Sequence, residues 1–384
     1  MLVLADPAQA HERWFVEGSA SQTWSFATQP MSLLFIASAV IVAVAWRAMS
    51  NTVAIRPVRR LAPFGKLSGW APRLVALHIG ASLVALAACS NFLAPSMELQ
   101  DIPGGMALGW VEVVVGMCLL AGYRLRFNGW LLLAGAPVLL FMAGATAMVE
   151  SATLFGAAAF LIIVTRQDLA AVFDVAPSPD VPVERLRGGL FLLRAGAGIS
   201  LITLAFSEKL ANPELARTML QEYPQLNLFD MANLPWSADT FIRFAAAVEL
   251  LFGLLLLSGA LSQVASIVVA VPFTATLALF GPVELMGHLP MYGVLLAVLI
   301  YASDPTYAPL TSWLPGPKLR LANRWVSPVP SEVTVSPLLA KAPVHQASAS
   351  MGHGAGTDPA EDETAAVAVA VAVAARLGPA SASA

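Results

Sequence analysis

Apolar residues in this chain fall into nine long runs separated by short polar stretches: 31–50, 74–93, 106–123, 129–148, 152–165, 188–206, 241–259, 264–280 and 289–301. A helix needs about 20 apolar residues to cross the hydrocarbon core of a bilayer, with a range of roughly 17–25. The pattern therefore predicts an all-α integral membrane protein with about nine transmembrane helices, the fifth and ninth short. Polar residues between the runs are distributed unevenly. Arg47, Arg56, Arg59, Arg60, Lys66 and Arg73 fill the first connection, Arg124 and Arg126 a later one, then Arg166, Arg185 and Arg187, and finally Lys318, Arg320 and Arg324. The alternate connections 91–105 and 282–287 carry no Lys or Arg. Basic loops stay in the cytoplasm, so the N-terminus is expected outside and the C-terminus inside. Nine spans is the count that places every basic loop on one side.

The two ends of the chain read differently from its middle. Residues 1–30 form an extracytoplasmic segment whose Trp14, Phe15, Trp24 and Phe26 suit a membrane interface. Ala8-Gln9-Ala10 has the small-x-small form of a signal-peptidase site, without a basic n-region or a full apolar h-region. Cleavage after Ala10 would leave His11 with a free amine beside its imidazole, a weak Cu(II) chelate with no second histidine nearby. Residues 31–72 hold one leading helix and its basic loop. Residues 305–384 are rich in Pro, Ala and Ser and read as a largely disordered cytoplasmic tail. Its 365–375 run is too short to span.

Composition agrees with the runs. Hydrophobic residues make up 58% of the 384 and charged residues only 12%, half the usual share, and the mean hydropathy is +0.73. A net charge of −3 gives no electrostatic reason to expect nucleic acid. Cys89 and Cys118 lie in different apolar runs and form neither a disulfide framework nor a zinc set. No haem, flavin, nucleotide or metal motif is present.

An internal repeat carries more information than any short motif. Residues 110–122 read W-V-E-V-V-V-G-M-C-L-L-A-G and residues 247–259 read A-V-E-L-L-F-G-L-L-L-L-S-G. Glu112 aligns with Glu249, Gly116 with Gly253 and Gly122 with Gly259. Val149-Glu150 aligns with Val283-Glu284, and 73–91 aligns loosely with 190–209. The expected architecture is two four-helix units, 73–166 and 187–304, in parallel orientation.

Charged side chains inside a bilayer cost a few kcal/mol each on insertion scales and face bundle interiors or cavities. At 1.5 Å per residue, Glu112 lies about 9 Å and Glu249 about 12 Å from the outer ends of their helices. Each is either a proton-handling or ligand-binding carboxylate or a helix-packing hydrogen bond. The glycines four residues on allow close approach to the same face. Arg194, in the inner half of its helix, binds an anion, pairs with a carboxylate or snorkels to the surface. Lys209 is an interfacial anchor or an attractor of an anionic substrate. Glu284 and His288 share a helical face; they relay protons, hold a ligand or pair structurally, and two ligands make a weak metal site. His78 sits at the other membrane depth, too far to bracket one haem with His288.

The stretch 193–213, L-R-A-G-A-G-I-S-L-I-T-L-A-F-S-E-K-L-A-N-P, resembles the first helix of the DoxX/DoxD family, with an early Arg, glycines, then Lys-Leu and a Pro just past the end. The A-V-E-L-L-F-G that follows resembles the family's second helix. The resemblance covers 187–304 well and 73–165 more weakly, because Asn91 stands near where Lys209 does in the second copy. Family members usually have one such unit and are associated with membrane redox work, including thiosulfate:quinone oxidoreductase subunits. The resemblance implies a quinone-interacting subunit of sulfur or thiol oxidation in a bacterial inner membrane. On this reading Glu249 is the proton acceptor or a headgroup ligand, Arg194 and Lys209 position an anionic substrate or a quinone carbonyl, and Glu112, Glu284 and His288 are expected to bind the quinone. Electrons would travel directly from sulfur to quinone or through a redox partner protein. The missing Lys implies one active half and one scaffolding half. The alternatives from other classes are a non-catalytic membrane anchor for a redox partner and a small-solute or ion permease.

Overall fold

A computed structural model describes residues 23–52, 57–165 and 181–315, together with Phe15. The helices are α1 (Pro30–Thr52), α2 (Ala71–Ala88), α3 (Gly105–Ala121), α4 (Leu125–Glu150), α5 (Ala152–Val164), α6 (Val183–Leu204), α7 (Pro213–Glu222), α8 (Ala238–Ser258), α9 (Ser262–Phe280) and α10 (Pro282–Ser303). A π-helical stretch, Ala205–Leu210, prolongs α6. A small antiparallel hairpin, β1 (Asn91–Phe92) and β2 (Ala94–Glu98), follows α2. Each of the nine apolar runs lies largely on a helix. Seven helical segments are long and apolar enough to cross a membrane, while α3 and α5 are shorter. At 1.5 Å per residue α5 is only about 20 Å long, short of the ~30 Å hydrocarbon core. The sequence before residue 23, Phe15 apart, and after residue 315 lies outside the described residues. So do the proposed cleavage site, His11 and the 365–375 run.

Local chemistry explains where helices stop. The run 74–93 was expected to be helical throughout, but α2 ends at Ala88. Ser90 and Leu93 then take left-handed φ values of 61° and 57° and turn the chain into the hairpin. Gly122 and Gly259 close α3 and α8 with φ of 73° and 68°, a backbone conformation in which only glycine is unstrained. The next turns also match: Arg124 and Leu261 are both left-handed. A third pair is Gly144, a break inside α4 with φ 85°, and Gly281, between α9 and α10, with φ 70°.

The helices pack in a recurring scheme. α2 lies on α3 and α6 lies on α8; α4 packs on α5 and α9 on α10. Across the middle, α5 meets α6 and α10 meets α2. Ile79, Leu83, Phe160, Leu161, Leu193 and Val298 belong to the shared core. Glycines set the closest crossings. A Cβ on Gly80 would stand 2.7 Å from the Gly116 carbonyl, and one on Gly198 would stand 2.6 Å from that of Gly253. Gly196 meets Gly156 in the same manner, and Gly293 meets His78. In a bilayer, where lipid tails compete equally for apolar side chains, such small-residue contacts are what bring helices together. α1 adds to one side only, resting Ala39 beside Leu250 and Ala205. The outer surface is apolar, with Met106 79% and Phe141 91% exposed. These features are those of a mostly helical membrane protein.

Candidate functional site

The π-helical stretch builds the first polar cluster. Extending the turn from 3.6 residues shifts side-chain directions, and such stretches are frequent at functional sites. Here it buries Ser207 and Glu208 and places Lys209 beside α8. Lys209 Nζ lies 3.1 Å from a Glu249 carboxylate oxygen and 3.4 Å from Glu208. Glu208 is fully buried, whereas Lys209 and Glu249 keep 16% and 21% exposure. The Lys209–Glu249 pair is thus held inside the bundle yet still reachable. Ser207 donates a 2.6 Å hydrogen bond to the Glu150 carboxylate at the end of α4.

A second cluster lies at the start of α10. Glu284 and His288, four residues apart, are 1% and 6% exposed. His288 Nδ1 is 3.0 Å from the Glu284 carbonyl oxygen and 3.4 Å from its carboxylate. Thr276 of α9 donates to the same carboxylate, and the Phe273 ring stands 4.5 Å from the imidazole. Between the halves is a cavity of about 100 Å³ that Glu150, Thr153, Ser200, Ser82 and His288 help to line. Ser82 donates 2.6 Å to the Met286 carbonyl oxygen. Pro290 has no N–H for that carbonyl, which lies four residues before it, so the serine supplies the missing donor. On the other side Ser200 donates to the Glu150 carbonyl oxygen.

The remaining sequence-derived residues sit elsewhere. Glu112 is 3% exposed, and its Oε1 accepts the Leu93 backbone N–H at 3.0 Å. Asn91, aligned with Lys209, instead donates to the Pro95 carbonyl oxygen, so the first unit shows no counterpart of the Lys–Glu pair at this position. Arg194 is wholly buried near the middle of α6, well before Lys209. Fifteen residues separate them, about 22 Å of helix, so the two do not converge on one ligand. The Arg194 guanidinium donates to the carbonyls of Leu256 (2.9 Å), Leu257 (3.3 Å) and Trp313 (2.7 Å). It clamps the C-terminus of α8, where carbonyls lack helical partners and a positive charge is favoured. Arg73 does the same for α3, donating to Leu119 and Leu120. Arg47 holds Ser258 and Ser312 at 2.9 Å each.

Glu150, Thr153, Ser200 and Ser207 join the site only through the fold. Glu150 stood in the repeat alignment, and Pro290 marked the carbonyl that needs Ser82. Nothing in a serine or threonine within an apolar run distinguishes a cavity-lining hydroxyl from one bonded along its own helix. Among the described residues there is no group of three or more His, Cys, Asp or Glu that could hold a metal. No family model, curated protein or solved structure matches the chain.

Proposed function

We propose that the protein is a quinone-interacting subunit of a membrane redox system, built from two copies of a DoxX-like four-helix unit. The carrying observation is the partly exposed Lys209–Glu249 pair beside buried Glu208. A cation among carboxylates at membrane depth is costly unless it is used or fully structural. Lys209 offers its ammonium to a carbonyl oxygen, and Glu249 exchanges the proton that reduction of a carbonyl requires. Electrons come from a sulfur or thiol donor, directly or through a partner protein. Arg194 is left out of this site, because its guanidinium contacts are those of a helix clamp.

The duplication is supported by paired details. Gly122 matches Gly259, Gly144 matches Gly281, and Arg73 bonds the two carbonyls of α3 that align with those Arg194 bonds in α8. Ser82 and Ser200 each reach across to the other half. Two parallel units and α1 give nine passes, α3 and α5 included. The clustering of Arg47, Arg59, Arg60, Arg73 and Arg185 favours a cytoplasmic location for their end, with the N-terminus outside a bacterial inner membrane.

The test is quinone content of detergent-purified protein, by solvent extraction and mass spectrometry, for wild type and Glu249→Gln. Near-stoichiometric quinone in wild type, lost in Glu249→Gln, is the expected result. Absence from both overturns the reading and favours an anchoring role, for which the many side chains bonded to neighbouring helix carbonyls already argue. Uptake of a small solute by reconstituted protein, lost in Glu249→Gln, would instead identify a permease.

A further inference from the structure

We propose that the cavity between the two halves is a water-filled proton relay joining Glu150 to His288. Three observations support it. The cavity offers about 100 Å³ to water-sized molecules, well above the ~10–15 Å³ of such space that one water needs. Its lining brings a carboxyl, an imidazole and the four hydroxyls of Ser82, Ser151, Thr153 and Ser200 together within otherwise apolar walls. Purely apolar cavities stay dry, whereas a buried water is retained where two to four polar partners surround it. Thr153 lines the cavity with only 7% of its surface exposed, and its hydroxyl has no hydrogen-bond partner among the described residues.

The surrounding bonds orient the relay. Ser200 and Ser82 spend their hydrogens on the Glu150 and Met286 carbonyls. Their oxygens remain acceptors. Ser207 fixes one Glu150 oxygen at 2.6 Å. Glu284 holds Nδ1 of the His288 ring, and Phe273 lies against the ring. A proton leaving Glu150 breaks its carboxyl O–H bond as a water takes it up, and another water gives its proton to the imidazole, forming N–H. No electron moves, and the carboxylate and imidazolium together carry no net charge. Glu150 belongs to the first half and His288 to the second, so the relay crosses from one half to the other. It stands independently of the quinone reading, which rests on Lys209 and Glu249.

Infrared spectroscopy of the full-length protein tests the relay. The carbonyl stretch of protonated Glu150 is assigned by its loss in Glu150→Gln, and its shift on transfer to D2O gives the exchange rate. Thr153→Leu replaces the hydroxyl with methyl groups that fill the space, while Thr153→Ser keeps the hydroxyl. Exchange is expected to slow about a hundredfold in Thr153→Leu, the scale on which positioned proton-transfer groups act, and to stay near wild type in Thr153→Ser. His288→Phe should slow it as well. Equal exchange in wild type, Thr153→Leu and His288→Phe overturns the proposal. So does the absence of a protonated Glu150 band at every pH from about 5 to 8, the window of imidazole titration. If Thr153→Leu does not fold, the wild type decides: a Glu150 band that exchanges only on unfolding means a dry cavity and ends the proposal.

Discussion

Arg194 illustrates how a single residue's identity outruns its sequence context. An arginine in an apolar helix reads equally well as an anion site, as the partner of a carboxylate or as a snorkelling side chain. In the structure its guanidinium meets three backbone carbonyls. Its clamp also explains the final glycine of the repeated motif. A Cβ on Gly259 would come 2.2 Å from Arg194 Nη1, and the left-handed φ already excludes most side chains. Arg194→Met is therefore expected to cost about 3 kcal/mol, since each buried carbonyl left without a donor costs about 1–3 kcal/mol. Unfolding by denaturing detergent, followed in mixed micelles, measures the loss. A stability within about 0.5 kcal/mol of wild type, the usual range for an inconsequential surface change, would refute the clamp. The Lys209–Glu249 pair was legible one member at a time: the helix positions of both residues could be read, but not the π-helical turn that brings them together.

At the scale of elements, the apolar runs located the helices because burial in lipid requires every backbone group to be bonded within its own helix. Their ends were less legible. The run 74–93 is apolar past Ala88, and only the tertiary hairpin decides that residues 91–98 leave the helix. Close glycine crossings were implied by the motif, but their partners, Gly80 and Gly198, were not. The proline in α10 gives a direct test of how elements compensate one another. Ser82→Ala should destabilise the protein by about 1 kcal/mol, the net worth of one hydrogen bond. In a Pro290→Ala background the restored N–H bonds Met286 internally, so Ser82→Ala should then cost close to nothing. The double-mutant cycle reads that coupling. Additive effects would mean that the serine does not stand in for the missing amide.

For the whole molecule, charge and repetition have to agree on one arrangement in the membrane. Positive charge gathers where α1, α3, α5 and α8 end: Arg47, Arg73, Arg185 and Arg194 donate to carbonyls in or beside the last turns of α8, α3 and α5. On the proposed orientation, the charge bias that sets it and the caps that complete the helices are partly the same residues. The first was legible as a loop pattern, and the second needed the fold. This arrangement puts exposed Cys89 and exposed Lys66 at opposite ends of α2. In a Cys118→Ser background, Cys89 should react with a membrane-impermeant maleimide in spheroplasts whose inner membrane is intact. A lone cysteine in Lys66→Cys, with Cys89→Ser and Cys118→Ser, should react only after the membrane is opened. The reverse pattern would invert the molecule and place the arginine caps outside. Equal labelling of both sites before opening would mean that α2 does not cross, and the nine-pass arrangement would fail with it.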